Sequence, residues 1–504
     1  MTSPPPDRVT GVQLAQGIGH QPAKGFWADA WSQVIRSPRA IFAISWISLV
    51  AMFAVLAPFV ASGHPLTASY ASETPASASP LVFYLTATDV LLMLGTIAGL
   101  IVMFAPGKAS RGARFGLLAQ GVLVGGLLLV LAAVVRGSGL GQWLVDELVN
   151  KDDGGSAGRL VPFFGSGSWA TLVVGLITGV VAAGVGLLVP FTRTVGDRLA
   201  VVAVVAVVGG SVVGLKWVEP LERFDYSQRE QTGQITSSVY TIVPFSPQQR
   251  DTRWFNEPPG TTLSEAEGRQ TDADIRNPTF VLGTDDSGQD VLSQMLHACR
   301  LSISIGLVST SIAVVIGVTL GALMGYFGGW VDMLLYRVVE VFMAIPVLFL
   351  LIVAAGVLPR NTYVMMIIIG CVSWTGAARF TRAEFMKLRN QDFVQAGTAL
   401  GLPLRSVLFR HMLPNGVTPV LVDASFAIAV AILIEAILSF LGLGPADQAS
   451  WGGLLEDATG ESGQYRWWLA IFPGGAIFLT VLSYNLLGET MRDAIDPKLK
   501  KARV

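Results

Sequence analysis

Charge is scarce in this chain of 504 residues: Asp, Glu, Lys and Arg together supply 14% of it, against 52% hydrophobic residues and a mean hydropathy of +0.57. A soluble domain carries roughly a quarter of its residues charged, so this shortage excludes an ordinary water-soluble protein and points to the membrane. An excess of either sign is also missing. Lys plus Arg number 34 and Asp plus Glu 35, which gives no reason to expect a nucleic-acid partner. Cysteine is nearly absent, and Cys299 and Cys371 sit in or beside apolar runs without paired spacing, so they read as buried thiols and not as a disulfide. The four histidines (His20, His64, His297, His411) are scattered without ligand spacing, which leaves no expected metal site. The phosphate-binding pattern Gly-x4-Gly-Lys-Ser/Thr does not occur; "APGKAS" (105–110) keeps the Gly-Lys pair but lacks the upstream glycine and the adjoining hydroxyl. No nucleophile stands with a base. The first 25 residues hold no apolar core segment, so a cytoplasmic tail is expected there, not a cleaved signal.

Long hydrophobic runs are abundant. About 20 apolar residues cross a bilayer's hydrocarbon, and about ten such runs occur, near 41–61, 82–105, 115–135, 169–192, 199–217, 301–325, 333–358, 362–378, 417–441 and 467–489. The expected fold class is all-α, polytopic in the membrane. The loops "PGKASRGAR" (106–114) and "RTVGDR" (193–198) are basic, whereas 62–80 has no Lys or Arg, so alternate loops and both termini are expected in the cytoplasm. That parity also puts Arg379, Arg382, Lys387, Arg389, Arg405 and Arg410 inside and the polar stretch 218–299 outside. The outer stretch, rich in turn signals such as "EPPG" and "DDSG", is expected to be irregular with little core of its own.

One basic stretch, "DFVQAGTALGLPLRSVLFRHMLPNGVTP" (392–419), interrupts the apolar runs. Asp392 to Leu400 is helix-compatible, Gly401 suits a C-terminal cap, and Pro403 suits the first turn of a second helix. That second helix has Leu404, Val407, Leu408 and Met412 on one face and Arg405 and Arg410 nearer the other, with Pro414 expected to end it. Two readings of such an elbow stand side by side: a helix lying on anionic lipid, or a dock for another protein.

The spacing of this stretch resembles the EAA loop of ABC importer permeases, which runs Glu-Ala-Ala, three residues, Gly, nine residues, Ile, one residue, Leu-Pro. Gln395, Ala396, Gly397, Gly401, His411, Leu413 and Pro414 hold those positions, with Gln, Gly and His in place of the first Glu, the second Ala and the Ile. "FRHMLPN" (409–415) is worded like the peptide and nickel branch of that family. "LGTDDSGQDVLSQMLHACRLSISIG" (282–306) resembles the branch's Gly-Thr-Asp motif at the external mouth, with Gln289 for an Arg and Ala298 for a Gly. "IEAILSFLGLG" (434–444), "SWGGLLEDA" (450–458) and "NLLGETMRDAIDPKL" (485–499) follow in the family's order, so the resemblance covers roughly 280–499.

The resemblance implies a type I ABC-importer permease core at 300–490 with a cytoplasmic coupling loop at 379–415, between cytoplasmic tails at 1–40 and 491–504. It implies a bacterial cytoplasmic (inner) membrane location and transport of peptides or peptide-like solutes. Implied partners are a paralogous permease, two ABC ATPase domains that use ATP and Mg, an extracytoplasmic solute-binding protein and membrane lipid; this chain itself is expected to hold no cofactor. In the coupling role it places Gln395, Ala396, Gly397, Gly401, Arg405, Arg410, His411, Leu413 and Pro414, and in the external motif Gly283, Thr284, Asp285 and Asp290. "LVAMFAVLAPFVASGHP" (49–65) resembles the end of the family's first helix, which would make the four further spans within 41–217 an insertion; the alternative takes 199–217 as the family's first span.

Within the spans, Gly317, Gly321 and Gly325 form a small-residue stripe, read first as packing inside this subunit and second as a seam with a partner. Ser304 and Ser311 are candidate pathway residues, though serine hydroxyls also bond back to their own helix. Asp89, Glu340, Asp423 and Glu435 are ionisable groups in or beside spans; Asp423 is read as facing the pathway and favouring cationic cargo. An ATP-independent carrier or channel is the alternative function, and a membrane scaffold the third.

Overall fold

The computed structural model describes residues 31–70, 77–104, 111–139, 142–143, 169–188, 195–217, 226, 234–268, 277–445, 448–459 and 464–495. Apolar runs become helices because in hydrocarbon every backbone N–H and C=O must be satisfied within the segment. In chain order these are α1 (Pro38–Val60), α2 (Ala87–Phe104), α3 (Arg111–Gly137), α4 (Trp169–Leu188), α5 (Val195–Leu215), α6 (Val291–Phe327), α7 (Gly329–Ala344), α8 (Val347–Val357), α9 (Thr362–Val372), α10 (Thr375–Leu388), α11 (Asp392–Ala399), α12 (Leu404–Phe440), α13 (Trp451–Asp457) and α14 (Trp467–Ile495). Eight of these are long and apolar enough to cross a membrane, and α7–α8 and α9–α10 are bent pairs that raise the number to ten among the described residues.

Two expectations change here. The run 333–358 is not one straight span: α7 and α8 meet at 81°, because Pro346 cannot continue a helix and Ile345 before it takes an extended conformation. The helix expected at 301–325 begins at Val291 and runs to Phe327, so the last residues of the 218–299 stretch are helical. At 37 residues each, α6 and α12 are ~55 Å long, well beyond the ~30 Å of hydrocarbon, so both project from it.

One permease-like bundle gathers α1, α6, α9, α10, α12 and α14. Its tightest joint sets the glycine stripe of α6 against α10. A Cβ at Gly317, Gly321 or Gly325 would lie 2.5–2.6 Å from Trp374 O, Ala378 O or Phe385 Cβ. The stripe therefore packs inside this subunit. The start of α1 lies against the end of α14, where Val34, Ala40 and Ala494 are buried together. That end of the bundle also carries the elbow after α10, and the opposite end carries a folded cap made by 234–268 and 277–290.

The cap departs from expectation because it has a core. Phe245 stacks on Phe280 at 4.5 Å, Trp254 lies 5.5 Å from Phe280, and the cluster sits on Ala57, Ala61 and Leu296 at the ends of α1 and α6. A three-stranded sheet adjoins it, in the order β2 (Ser77–Ala78), β1 (Thr67–Tyr70), β3 (Ile235–Val239), with Thr67 opposite Val239 and Tyr70 opposite Ile235.

Helices α2–α5 form a second bundle with its own core of Val124, Leu128, Ala182, Val202 and Val213. Here α4 and α5 touch backbone to backbone: a Cβ at Gly175 would meet Gly210 O at 2.4 Å and one at Gly214 would meet Leu172 Cα at 2.6 Å. The bundle joins the first through Asp89, which caps the start of α2 by accepting from Thr86 N at 2.8 Å and pairs with Arg300 of α6 at 2.6 Å. Arg300 Nε in turn donates to Ala54 O of α1 at 3.1 Å.

Candidate functional site: an exposed helical elbow

Helix α11 ends in a left-handed glycine. Gly401 has φ +72°, its N–H donates to Thr398 O (3.0 Å), and Leu402 N–H reaches back to Gly397 O (3.2 Å). These two bonds make the paired closure by which helices stop at glycine, and Leu402 packs on Gly397, where a Cβ would lie 3.5 Å from Leu402 Cδ1. Pro403 is the cap preceding α12 and not part of its first turn.

Pro414 does not end the second helix. The turn before it, Val407–Met412, widens to π geometry, with Leu413 N–H donating to Leu408 O, and the helix runs on past Pro414 and Pro419 to Phe440. A proline lacks the N–H that would bond four residues back; the wider turn absorbs the clash, and Asn415 Nδ2 donates to the His411 carbonyl at 2.7 Å. The elbow is thus continuous with a spanning helix.

Its apolar face is divided differently from expectation. Val407, Leu408 and Met412 are buried with Val394 against Ala322, Phe385 and Leu388, the lower ends of α6 and α10. They root the elbow and cannot form a dock. The outward apolar residues are Phe393, Leu400 (81% exposed), Leu402, Leu404 and Phe409, with Arg405 and Arg410 exposed beside them. Spacing alone did not find Phe393, Leu400, Leu402 and Phe409; their clustering on both sides of Gly401 is the signal that was available. Gln395 and Ala396 are exposed on α11, Gly397 is buried, His411 and Leu413 are half-buried, and Pro414 is exposed. The joint above the elbow is stiffened by Arg382, whose Nη2 lies 2.7 Å from Asp332 Oδ2 of α7 and whose guanidinium stands 4.7 Å from the Tyr336 ring.

At the other end, Gly283, Thr284, Asp285 and Asp290 come together as a buried latch. Gly283 (φ +79°) has no room for a side chain, since a Cβ would lie 2.6 Å from Glu257 O. Thr284 Oγ1 accepts from Glu257 N at 2.8 Å, and Thr284 O accepts from Trp468 Nε1 at 3.1 Å. Asp285 Oδ1 accepts from Ser287 N and Gln289 N, both at 2.8 Å, and its Oδ2 accepts from Gln294 Nε2. Asp290 caps α6 by accepting from Ser293 N at 2.7 Å, while its Oδ1 is buried without a hydrogen-bond partner among the described residues. Burial pushes Asp290 up to about 7 and raises Asp285, whose N–H donors oppose the shift.

The three pathway candidates do not converge. Ser304 and Ser311 share one face of α6; Ser311 is exposed and its hydroxyl donates to Leu307 O at 2.7 Å. Gly306, on the other side of α6, faces Ile428 and Ile432 of α12. Asp423 of α12 lies against Gly376, where a Cβ would be 3.5 Å from its Oδ2, within electrostatic reach of Arg379. Glu340 pairs with Arg337 at 2.6 Å on an exposed face, and buried Glu435 accepts from Ser439 at 2.7 Å.

Residues 317–501 match the family model described as the binding-protein-dependent transport system inner membrane component. An oligopeptide transport system permease protein of Haemophilus influenzae is 38% identical over 217 residues, 43% of this chain and 70% of that protein. A dipeptide transport system permease protein of Alkalihalophilus pseudofirmus is 36% identical over 219 residues, 43% of this chain and 72% of the relative. The dipeptide transport system permease protein of H. influenzae is 32% identical over 295 residues, 56% of this chain and 96% of the relative.

Proposed function

This chain belongs to the binding-protein-dependent transport system inner membrane component family, in its peptide-permease branch, and on that premise we propose that the elbow at Gly401 is where separate ATPase subunits grip it. It is a membrane permease subunit of an ATP-driven importer of peptides or peptide-like solutes, and an ATP-independent carrier is not favoured. As a member of a binding-protein-dependent family it works with ATPase and solute-binding partners. ATP and Mg belong to those ATPases, a paralogous permease completes the path, the membrane is the bacterial inner membrane, and the elbow and both termini are cytoplasmic.

The observation that carries the reading is the elbow's division of labour. One apolar face is rooted in α6 and α10, while Phe393, Leu400, Leu402, Leu404 and Phe409 face outward with two arginines beside them. A soft contact would dissipate the motor's motion. A rigid elbow continuous with α12 passes it to the spanning helices, because only contacts that differ between two states shift their populations. Basic side chains around apolar anchors also suit an acidic-rimmed groove on a protein.

Replacing Leu400 and Phe409 by Asp tests this, since both are exposed and neither supports the fold. In the reconstituted importer, stimulation of ATP hydrolysis by loaded binding protein should fall at least tenfold while the variant still inserts. Unchanged stimulation would remove the elbow from the coupling role.

A further inference from the structure

A polar cavity of about 520 Å³ opens at the cap end, between the loop at 247–250, the start of α6, the end of α12 and α13. Its charged lining is Arg250 and Arg360 together with Glu456 and Asp457, and Gln289 and Gln294 add amide groups. Among the described residues none of these four charged side chains is held in an ion pair, although two cations and two anions line one space. A cavity of this size holds a small ligand. Beyond these groups the wall is largely Pro, Gly, Ala and Ser, with Leu454 as its one large apolar side chain, so it offers no deep pocket for a particular side chain.

We propose that this cavity is a receiving site on the permease for short zwitterionic peptides, with Glu456 and Asp457 taking the α-ammonium and Arg360 and Arg250 the α-carboxylate. This rests on the importer reading and adds to it where cargo first touches this chain and by which groups. A free peptide near neutral pH carries a cation at one end and an anion at the other, since α-amino and α-carboxyl groups titrate near ~8 and ~3.5. The amide side chain of Gln289 suits a peptide backbone, whereas Gln294 is held by Asp285, and each guanidinium matches a carboxylate in its plane. Burial pushes Asp457 up to about 7, and Asp285, Asp286 and Glu456 add to the rise while Arg466 opposes it. An arriving ammonium relieves that crowding of negative charge. A wall without a specific pocket leaves recognition to termini and backbone, which makes the site indifferent to peptide sequence.

The test uses the whole importer in proteoliposomes with its binding protein, and compares uptake of trialanine, N-acetyl-trialanine and trialanine amide. Glu456→Gln with Asp457→Asn should lower the kcat/KM ratio of trialanine to N-acetyl-trialanine at least tenfold. Arg360→Gln, on a different element, should lower the ratio of trialanine to its amide by a similar factor. Equal loss on all three peptides, or no loss, in both variants would overturn the proposal. If wild-type uptake proves independent of ATP, the importer reading itself fails; if it is ATP-driven and the ratios stay fixed, only the receiving site fails.

Discussion

Gly401 shows how one residue's backbone freedom sets the elbow. At φ +72° a side chain costs roughly 1–2 kcal/mol, and a β-branched one more, although nothing lies within 4 Å of the place a Cβ would take. Gly401→Val should therefore open the turn and cut ATP-driven uptake at least tenfold, whereas Gly401→Asn, which tolerates this conformation, should stay within about twofold. Uptake and stimulated ATP hydrolysis measured on both variants separate backbone strain from simple loss of space. Asp290 sets a second residue-scale property. Unfolded aspartate titrates near ~3.9, while burial holds Asp290 and Asp457 at about 7 in the folded chain. The folded cap thus binds protons more tightly, and this contribution to stability is full below about pH 4 and lost as the pH rises through about 7. Amide hydrogen exchange in the cap, corrected for intrinsic rate, should report a less stable cap at pH 8 than at pH 5.5. Asp290→Asn, which keeps the helix cap, should flatten that difference; an unaltered pH dependence would contradict it.

At the scale of elements, α6 is fixed by its glycines and α12 by its prolines. A Cβ at Gly321 would meet Ala378 O at 2.5 Å, and backbone cannot step aside as a flexible side chain can. Gly321→Val should force α6 from α10 and lower the unfolding midpoint of the purified chain by several degrees or prevent its insertion; Ser311→Val, on an exposed face, should do neither. Thermal unfolding followed by circular dichroism in detergent distinguishes them. Much of this level was legible in the sequence: hydropathy located the spans, and the spacing of Gly317, Gly321 and Gly325 announced a close helix pair. The continuity of α12 was not legible, because a proline normally reads as a stop and the π-turn at Val407–Met412 that carries the helix past Pro414 leaves no separate mark in composition. Periodicity named Val407, Leu408 and Met412 as one face, but their spacing does not show that Val394, Phe385 and Leu388 of the same chain cover it. The cap's core was missed because Phe245, Trp254 and Phe280 are far apart in a polar stretch and meet only in three dimensions. Likewise, charges from separate loops gather at one cavity only once the fold is made.

For the whole molecule, we propose that the second bundle is an insertion. Tyr70 and Ile235 face each other across a ladder, so the chain leaves and returns to the permease bundle at neighbouring points, and α1 already occupies a place against α6 and α14. Replacing 71–234 by Asn-Gly should close Tyr70 and Ile235 as a hairpin. Because removal of Asp89 would strand Arg300, at a cost of ~3–5 kcal/mol, the deletion should be combined with Arg300→Met. The shortened chain should keep at least about a third of ATP-driven uptake. Loss of all uptake with intact insertion would instead make α5 the first essential span. Whether a separate motor holds the elbow is decided by disulfide or short bifunctional cross-linking from Leu400→Cys, the most exposed apolar residue there, in a Cys371→Ser background within the native membrane. The expected product is a cross-link to an ATPase subunit whose yield changes with ATP. A cysteine at 400 that reacts only with lipid-soluble reagents and captures no ATPase would contradict it.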